Sequence, residues 1–332
     1  MTTVPALPCR QTGIIFKESY MELEHNWNGR PYHSLDWELK HTFGHKVYKL
    51  SLDAGLTCPN RDGKIGRGGC IFCSGMGSGD FAGSASFSIC EQLAAGKAAL
   101  QAKRPVHSYI AYFQAFTNTY APVEYLEKIF TEAILDPDVR VLAVATRPDC
   151  LSHETVELLR RLNQIKPVWI ELGLQTIHPQ TARYIRRGYP LEVFDDAVAR
   201  LKAAGIQVIT HVILFLPGET EAQMLKTIDY LNRNPIDGIK LQLLHILKGT
   251  DLARDYARSP FHIPDMDEYI RCIGNCIAHL RPDIVIHRLT GDGPKDLLIE
   301  PQWTGAKRTV LNHIHQYLKE QDIWQGKEYS NL

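Results

Sequence analysis

The chain has no excess of either charge: lysine plus arginine and aspartate plus glutamate both number 37. No global field therefore draws it to nucleic acid or to an anionic membrane, and any RNA contact would have to be a local patch. Long hydrophobic runs are missing as well. Apolar stretches such as Val208 to Leu216 are far too short to span a bilayer, and the opening MTTVPALPCR lacks the basic start and apolar run of a secretory signal. The expectation is a cytoplasmic protein with no membrane association. Internal repeats and low-complexity linkers are also lacking. Cysteine is sparse and uneven, eight residues with three of them inside one short segment. In a reducing compartment that pattern argues against a disulfide framework and for a metal or redox site.

What is present is a rhythm. After about forty irregular residues rich in histidine and tryptophan, apolar runs of strand length alternate with amphipathic segments of helix length. Strands are expected at Val47 to Leu52, Ser108 to Gln114, Val141 to Ala145, Val168 to Leu174, Gln207 to Phe215, Gly238 to Leu244 and Ile284 to His287. Helices are expected near Ile89 to Gln101, Val123 to Leu135, His153 to Gln164, Leu191 to Ala204, Glu221 to Asn232 and Met266 to Leu280. Continuous apolar strands alternating with helices imply a parallel sheet with right-handed crossovers. The expected fold is α/β, a complete or partial β/α barrel. Its expected divisions are an N-terminal extension (1–43), a core barrel (44–256) and a C-terminal extension (257–332) that completes the barrel or caps the substrate side. In such barrels chemistry belongs to the loops after the strands.

The first of those loops, LSLDAGLTCPNRDGKIGRGGCIFCSGMGSGDF, places Cys58, Cys70 and Cys73 at spacing C-x11-C-x2-C. Its many glycines permit the tight bends that aim three thiolates at one point. A [4Fe-4S] cube held by three cysteines keeps one iron without a protein ligand, open to a small chelating molecule. A structural zinc site also uses C-x2-C, but it closes with a fourth ligand that no second pair supplies here.

The segment from Cys58-Pro59-Asn60-Arg61-Asp62-Gly63 to Gly69-Cys70-Ile71-Phe72-Cys73 resembles the radical S-adenosylmethionine (SAM) superfamily. The usual spacing there is C-x3-C-x2-C. The longer first gap resembles the subgroup related to the tRNA-modifying elongator catalytic subunit and its small bacterial relatives. The resemblance implies a partial (β/α)6-type barrel, with the [4Fe-4S] cluster on Cys58, Cys70 and Cys73 and SAM as the second cofactor. It also implies reductive cleavage of SAM to a 5'-deoxyadenosyl radical that abstracts hydrogen, and an electron donor such as flavodoxin or ferredoxin.

If SAM binds the open iron, polar groups are needed at the ends of the following strands. Gln114, Thr117 and Asn118 after the second strand suit its amino and carboxylate end, and Arg147 after the third suits a carboxylate. Glu171 and Gln175 in WIELGLQT resemble the family's ribose-binding strand; a glutamate inside an apolar strand is costly unless partnered. His211, Leu216 and Gly218 in HVILFLPGET resemble the adenine-contacting strand, although Pro-Gly before Glu-Thr is equally a plain turn and helix start. Gln242, His245 and Lys248 follow the sixth strand, where a histidine is more often a satisfied core residue than a catalyst.

Cys272 and Cys276, at i and i+4 on one helix face, read as core, and Cys9, Cys90 and Cys150 as structural. The stretch holding His287, Arg288, Asp292, Lys295 and Trp303 suits a substrate lid or a plug at the barrel's base. The subgroup resemblance implies tRNA as substrate, with removal of a carboxymethyl group from a wobble-uridine C5 side chain to leave an aminomethyl base. Arg183, Arg186, Arg187 and Tyr189 are the candidate RNA contacts, although such a run is commonly a solvated helix face. A small metabolite as the substrate, or a non-catalytic zinc-binding scaffold, remain the other two readings.

Overall fold

The computed structural model describes residues 25–77, 79–291 and 293–330. The strands are β1 (Tyr48–Leu52), β2 (Tyr109–Phe113), β3 (Val139–Thr146), β4 (Val168–Gln175), β5 (Gln207–Leu214), β6 (Gly238–Leu243), β7 (Ile246–Leu247), β8 (Val285–Arg288) and β9 (Leu298–Glu300). β1 to β6 and then β8 form one parallel seven-stranded sheet, curled into a partial barrel, and β7 pairs antiparallel with β9. The helices are α1 (Leu35–Phe43), α2 (Ile89–Gln101), α3 (Val123–Ile134), α4 (His153–Asn163), α5 (Pro179–Tyr184), α6 (Leu191–Ala203), α7 (Glu221–Asn232), α8 (Asp251–Arg258), α9 (Met266–His279) and α10 (Lys307–Glu320).

The strands form where they do because both of their faces are buried. One face of β2 to β6, with residues such as Phe113, Leu142, Ile170, Val208 and Leu241, meets the outer helices. The helices answer with apolar stripes: α3 buries Leu126, Ile129, Phe130, Ala133 and Ile134, the i, i+3, i+4, i+7 and i+8 pattern of a core-facing helix. Truncating the fully buried Phe130 to alanine would cost about 3–5 kcal/mol. Side chains also fix where helices start. Ser88 with Glu91 and Thr220 with Gln223 form capping boxes on α2 and α7, satisfying amide groups left unpaired by the first turn.

The other face of the sheet lines the barrel interior. At its base Val47, Ile110, Val141, Ala143, Trp169 and Ile209 pack against Leu35, Leu39 and Phe43 of α1. The base plug is thus an N-terminal helix in a stretch expected to be irregular. Ser34 caps α1, and Gly44, at φ 74°, ends it in the left-handed conformation that suits glycine. The sheet does not close: β1 and β8 are its two free edges. The outer edge of β8 bonds instead to the segment ahead of α1, with the Ile286 amide donating to the His33 carbonyl at 2.7 Å. The C-terminal segment therefore contributes a strand to the barrel. It also supplies α10, which the sequence reading passed over; Val310, Ile314 and Leu318 bury its inner face.

Candidate active site at the open end of the barrel

The loop after β1 explains its own length. Residues 59–69 fold back on themselves: Asp62 bridges Arg67, the Gly63 amide donates to the Gly66 carbonyl at 3.1 Å and the Ile65 amide to the Pro59 carbonyl at 2.9 Å. The excursion returns Cys70 to the neighbourhood of Cys58, and all three thiols line one cavity of about 780 Å³. Asn60 secures the return, donating from Nδ2 to the Arg186 carbonyl at 2.7 Å and to Cys70 Sγ at 3.5 Å. Gly69 lies at φ 84°, and a Cβ there would come within 2.9 Å of the Arg61 side chain. That arginine in turn donates to the Gly75 carbonyl at 3.2 Å.

These thiols suit a metal cluster chemically. The Cys73 hydrogen bond pulls the Cys70 thiol down to about 7; burial opposes this, while Arg147, Asn60 and Arg61 add to it. Cys73 is pushed up in return. At Cys70 the setting favours the thiolate that an iron–sulfur cluster requires of its ligands; at Cys73 the Cys70 hydrogen bond and burial outweigh Arg61. Cys58, Cys70 and Cys73 are the three thiols on this cavity wall.

Of the other sequence candidates, Gln114, Thr117, Arg147, Glu171, Gln175, His211 and His245 line the same cavity. Gln114 accepts from Ser51 Oγ at 3.1 Å. Arg147 already has a carboxylate: it grips Asp149 with two bonds of 2.9 and 2.8 Å. Its guanidinium also lies 5.0 Å from the centre of the Tyr189 ring. Gln175 ends β4 at φ 67°, and its Oε1 is buried without a hydrogen-bond partner. Phe116 after β2 and Phe215 after β5, at φ 58° and 60°, share this left-handed conformation. Non-glycine residues held so cluster where function stores strain.

Four candidates lie off the wall. Asn118 is fully buried and donates to the Phe113 and Ala145 carbonyls at 3.2 and 2.9 Å, stitching β2 to β3. Leu216 sits in an apolar cluster with Ile71, Ile185 and Ile213. Gly218, at φ 86°, forms the turn before the Thr220 cap. Lys248 donates to the Asp296 carbonyl at 2.9 Å and also lies off the wall. His245 contacts Thr304 at 3.2 Å beneath Gly291 and Gly293, which line the cavity with Lys295. Trp303 lies elsewhere, donating to the Pro264 carbonyl at 3.1 Å. Asp292 lies outside the described residues.

Two of the expected RNA contacts are engaged within the protein. Arg187 is buried and donates to the carbonyls of Leu174, Thr176 and Tyr189, and the Tyr189 hydroxyl donates to the Gly173 carbonyl. Both hold the end of β4, are largely buried, and line the cavity rather than the outer surface. Arg186 pairs with Asp251. Cys272 and Cys276 are buried on α9 as expected, whereas Cys90 is exposed, its amide donating to Glu132 Oε1 at 2.7 Å. Cys150 is partly buried beside Asp149, and Cys9 lies outside the described residues.

Sequence reasoning missed the partners of Glu171. Its side chain is fully buried at the barrel centre, with Lys49 Nζ at 3.1 Å, His211 Nε2 at 2.9 Å and the Lys240 ammonium in direct contact. Lys240 also donates to the Tyr112 hydroxyl at 3.2 Å. Burial pushes the Glu171 carboxyl up, but Lys240, Lys49 and His211 outweigh it and hold the group well below its ordinary range. Burial and Lys240 pull His211 down to about 4, so the imidazole is neutral near pH 7.

A seven-stranded open barrel with three thiols at its mouth defines a class of cluster-dependent enzymes. Residues 61–231 match the radical SAM superfamily and residues 236–320 its C-terminal domain. This chain belongs to the radical SAM superfamily, whose members use a [4Fe-4S] cluster and SAM. That membership sets aside a zinc-only scaffold. It is 41% identical over 301 residues to the uncharacterized protein YtqA of Bacillus subtilis, covering 91% of this chain and 94% of that one. It is 23% identical over 186 residues to the tRNA uridine(34) acetyltransferase of Methanocaldococcus infernus, covering 55% of this chain and 34% of that one. The solved structure of Elp3 from Methanocaldococcus infernus, with an N-terminal deletion, shares the fold at TM-score 0.65 and 17% identity. The match covers 84% of this chain and 64% of that one. Among the described residues no helix is long and apolar enough to cross a membrane.

Proposed function

We propose that this enzyme acts on the C5 side chain of a wobble uridine in tRNA, converting a carboxymethylaminomethyl group to aminomethyl. The observation that carries the reading is the likeness of its barrel core to a relative named for tRNA uridine 34. A cavity of about 780 Å³ whose charged lining is mostly basic is compatible with a nucleotide drawn out of its strand. In this reading Cys58, Cys70 and Cys73 hold the cluster, and Gln114, Thr117, Arg147, Gln175 and His245 line the space for SAM. When bound, cluster and SAM supply one-electron reductive chemistry, with flavodoxin or ferredoxin as electron source. The chain's own residues exclude water, orient the bound groups and keep the barrel centre charged.

The test compares modified tRNA nucleosides from a deletion strain and its parent. Accumulation of the carboxymethylaminomethyl form with loss of its aminomethyl descendant is expected. Identical profiles, or SAM cleavage by the purified enzyme that a small metabolite stimulates and tRNA does not, would overturn the reading.

A further inference from the structure

The cavity lining departs from the charge balance of the chain. Among the described residues, eight lysine or arginine side chains line it against two carboxylates, Asp80 and Glu171, whereas the whole sequence carries 37 of each sign. The imbalance is sharpest at the floor. Lys49 and Lys240 share the single carboxylate of Glu171, and their side chains are only 25% and 4% exposed. Uncompensated charge in such a place is expensive: burial first, then Lys49 and Arg288, pull the Lys240 ammonium well below its ordinary range despite Glu171. A second anion would balance the pair.

The same lysines also wall a smaller cavity, of about 350 Å³, beside β8 and α1. They therefore stand in the partition between two spaces. Their position also separates them from the cluster loop. Lys49 lies within β1 and Lys240 within β6, whereas Cys58, Arg147 and Gln175 stand at or beyond the C-terminal ends of their strands.

We propose that Lys49 and Lys240 form an anion seat at the barrel floor that holds the acid group of the substrate. Identifying that acid as the carboxylate of the uridine arm rests on the function proposed above; the seat itself does not. Glu171 is then a positioning residue that fixes both ammonium groups. Its single charge leaves them room for another.

The test uses anaerobically reconstituted, SAM-loaded enzyme at constant ionic strength. Inorganic phosphate and acetate are titrated against its thermal midpoint, and 5-carboxymethylaminomethyluridine and its methyl ester are titrated by calorimetry. Both anions are expected to raise the midpoint of the wild type, and Lys49→Met to weaken them about tenfold while SAM affinity is unchanged. The nucleoside acid is expected to bind about tenfold tighter than its ester in the wild type only. No midpoint shift in the wild type, or equal anion affinity in Lys49→Met, overturns the seat. A parallel loss of SAM affinity also overturns it, assigning the lysines to the methionyl carboxylate. Anions behaving as expected while acid and ester bind alike keeps the seat and removes the uridine reading. Should Lys49→Met fail to fold, Lys240→Met, which leaves Glu171 paired with Lys49 and likewise removes the net positive charge of the seat, is expected to show the same loss.

Discussion

Glu171 on β4 and Lys240 on β6 meet across the intervening strand β5 in the interior of the barrel, with neither side chain open to solvent. Removing Glu171 strands the charge of Lys240, whereas removing Lys240 leaves Glu171 its Lys49 and His211 partners. Glu171→Gln is expected to destabilise the fold by about 3–5 kcal/mol, and Glu171→Gln/Lys240→Met by clearly less than the sum of its parts. Denaturant unfolding of the apoprotein as a double-mutant cycle measures this; additive effects would refute it.

Acid sensitivity follows from the same cluster. His211 is held near 4 against an ordinary 6.5, by burial first and Lys240 second. Between those values the unfolded chain takes up a proton that the folded protein refuses, so stability falls as pH falls through this window. Burial pulls His287 down too, adding in the same direction. Glu171 has the depressed carboxyl, so its contribution is present above about 4.5 and is lost only below that. The unfolding midpoint is expected to decline from pH 6.5 to 4, and His211→Asn/His287→Asn to flatten the upper part of that decline. Identical profiles would contradict the assignment.

Iron content separates the cysteines. Replacing Cys58, Cys70 and Cys73 together by alanine is expected to abolish bound iron, sulfide and 5'-deoxyadenosine formation from SAM. Serine at Cys90, Cys150, Cys272 or Cys276 is expected to leave iron at the wild-type level after anaerobic reconstitution. Metal and sulfide analysis decides both.

Gln175 and Asn118 should part company in the same way. Gln175→Ala is expected to weaken SAM binding about two- to tenfold with little change in stability, since its buried Oε1 has no partner within the protein. Asn118→Ala, which removes two bonds to strand-end carbonyls, is expected to lower the melting temperature instead. Calorimetric SAM titration and thermal unfolding of both variants give the answer.

The strand and helix rhythm was legible because two-sided burial leaves a plain trace in composition, and the cysteine loop because three thiols among glycines have few other uses. Glu171 stood out as a carboxylate in an apolar strand. Lys49 in VYKLSL and Lys240 in GIKLQL carry the same signal, yet a long lysine can run its stem through apolar surroundings and reach water. Only the curl of the sheet brings β1, β4 and β6 to one point, and no local pattern encodes that curl. Arg187 misled for a related reason. An arginine run reads as solvent-facing until three main-chain carbonyls are found to use its donors. α1 was missed although Ser34 and Gly44 bracket it, because nine residues give too little periodicity to outweigh their histidine and tryptophan content.

The two edge strands share no rung, and the gap is held by a wedge, α1, and by a strap in which His33 and Ser34 grip Ile286 while Gln325 ties both to the carboxyl-terminal tail. A hoop lacking one stave can change its girth without breaking any stave-to-stave bond. The girth of this barrel is therefore held at the wedge and strap, at the base, while its thiols line the cavity at the other end.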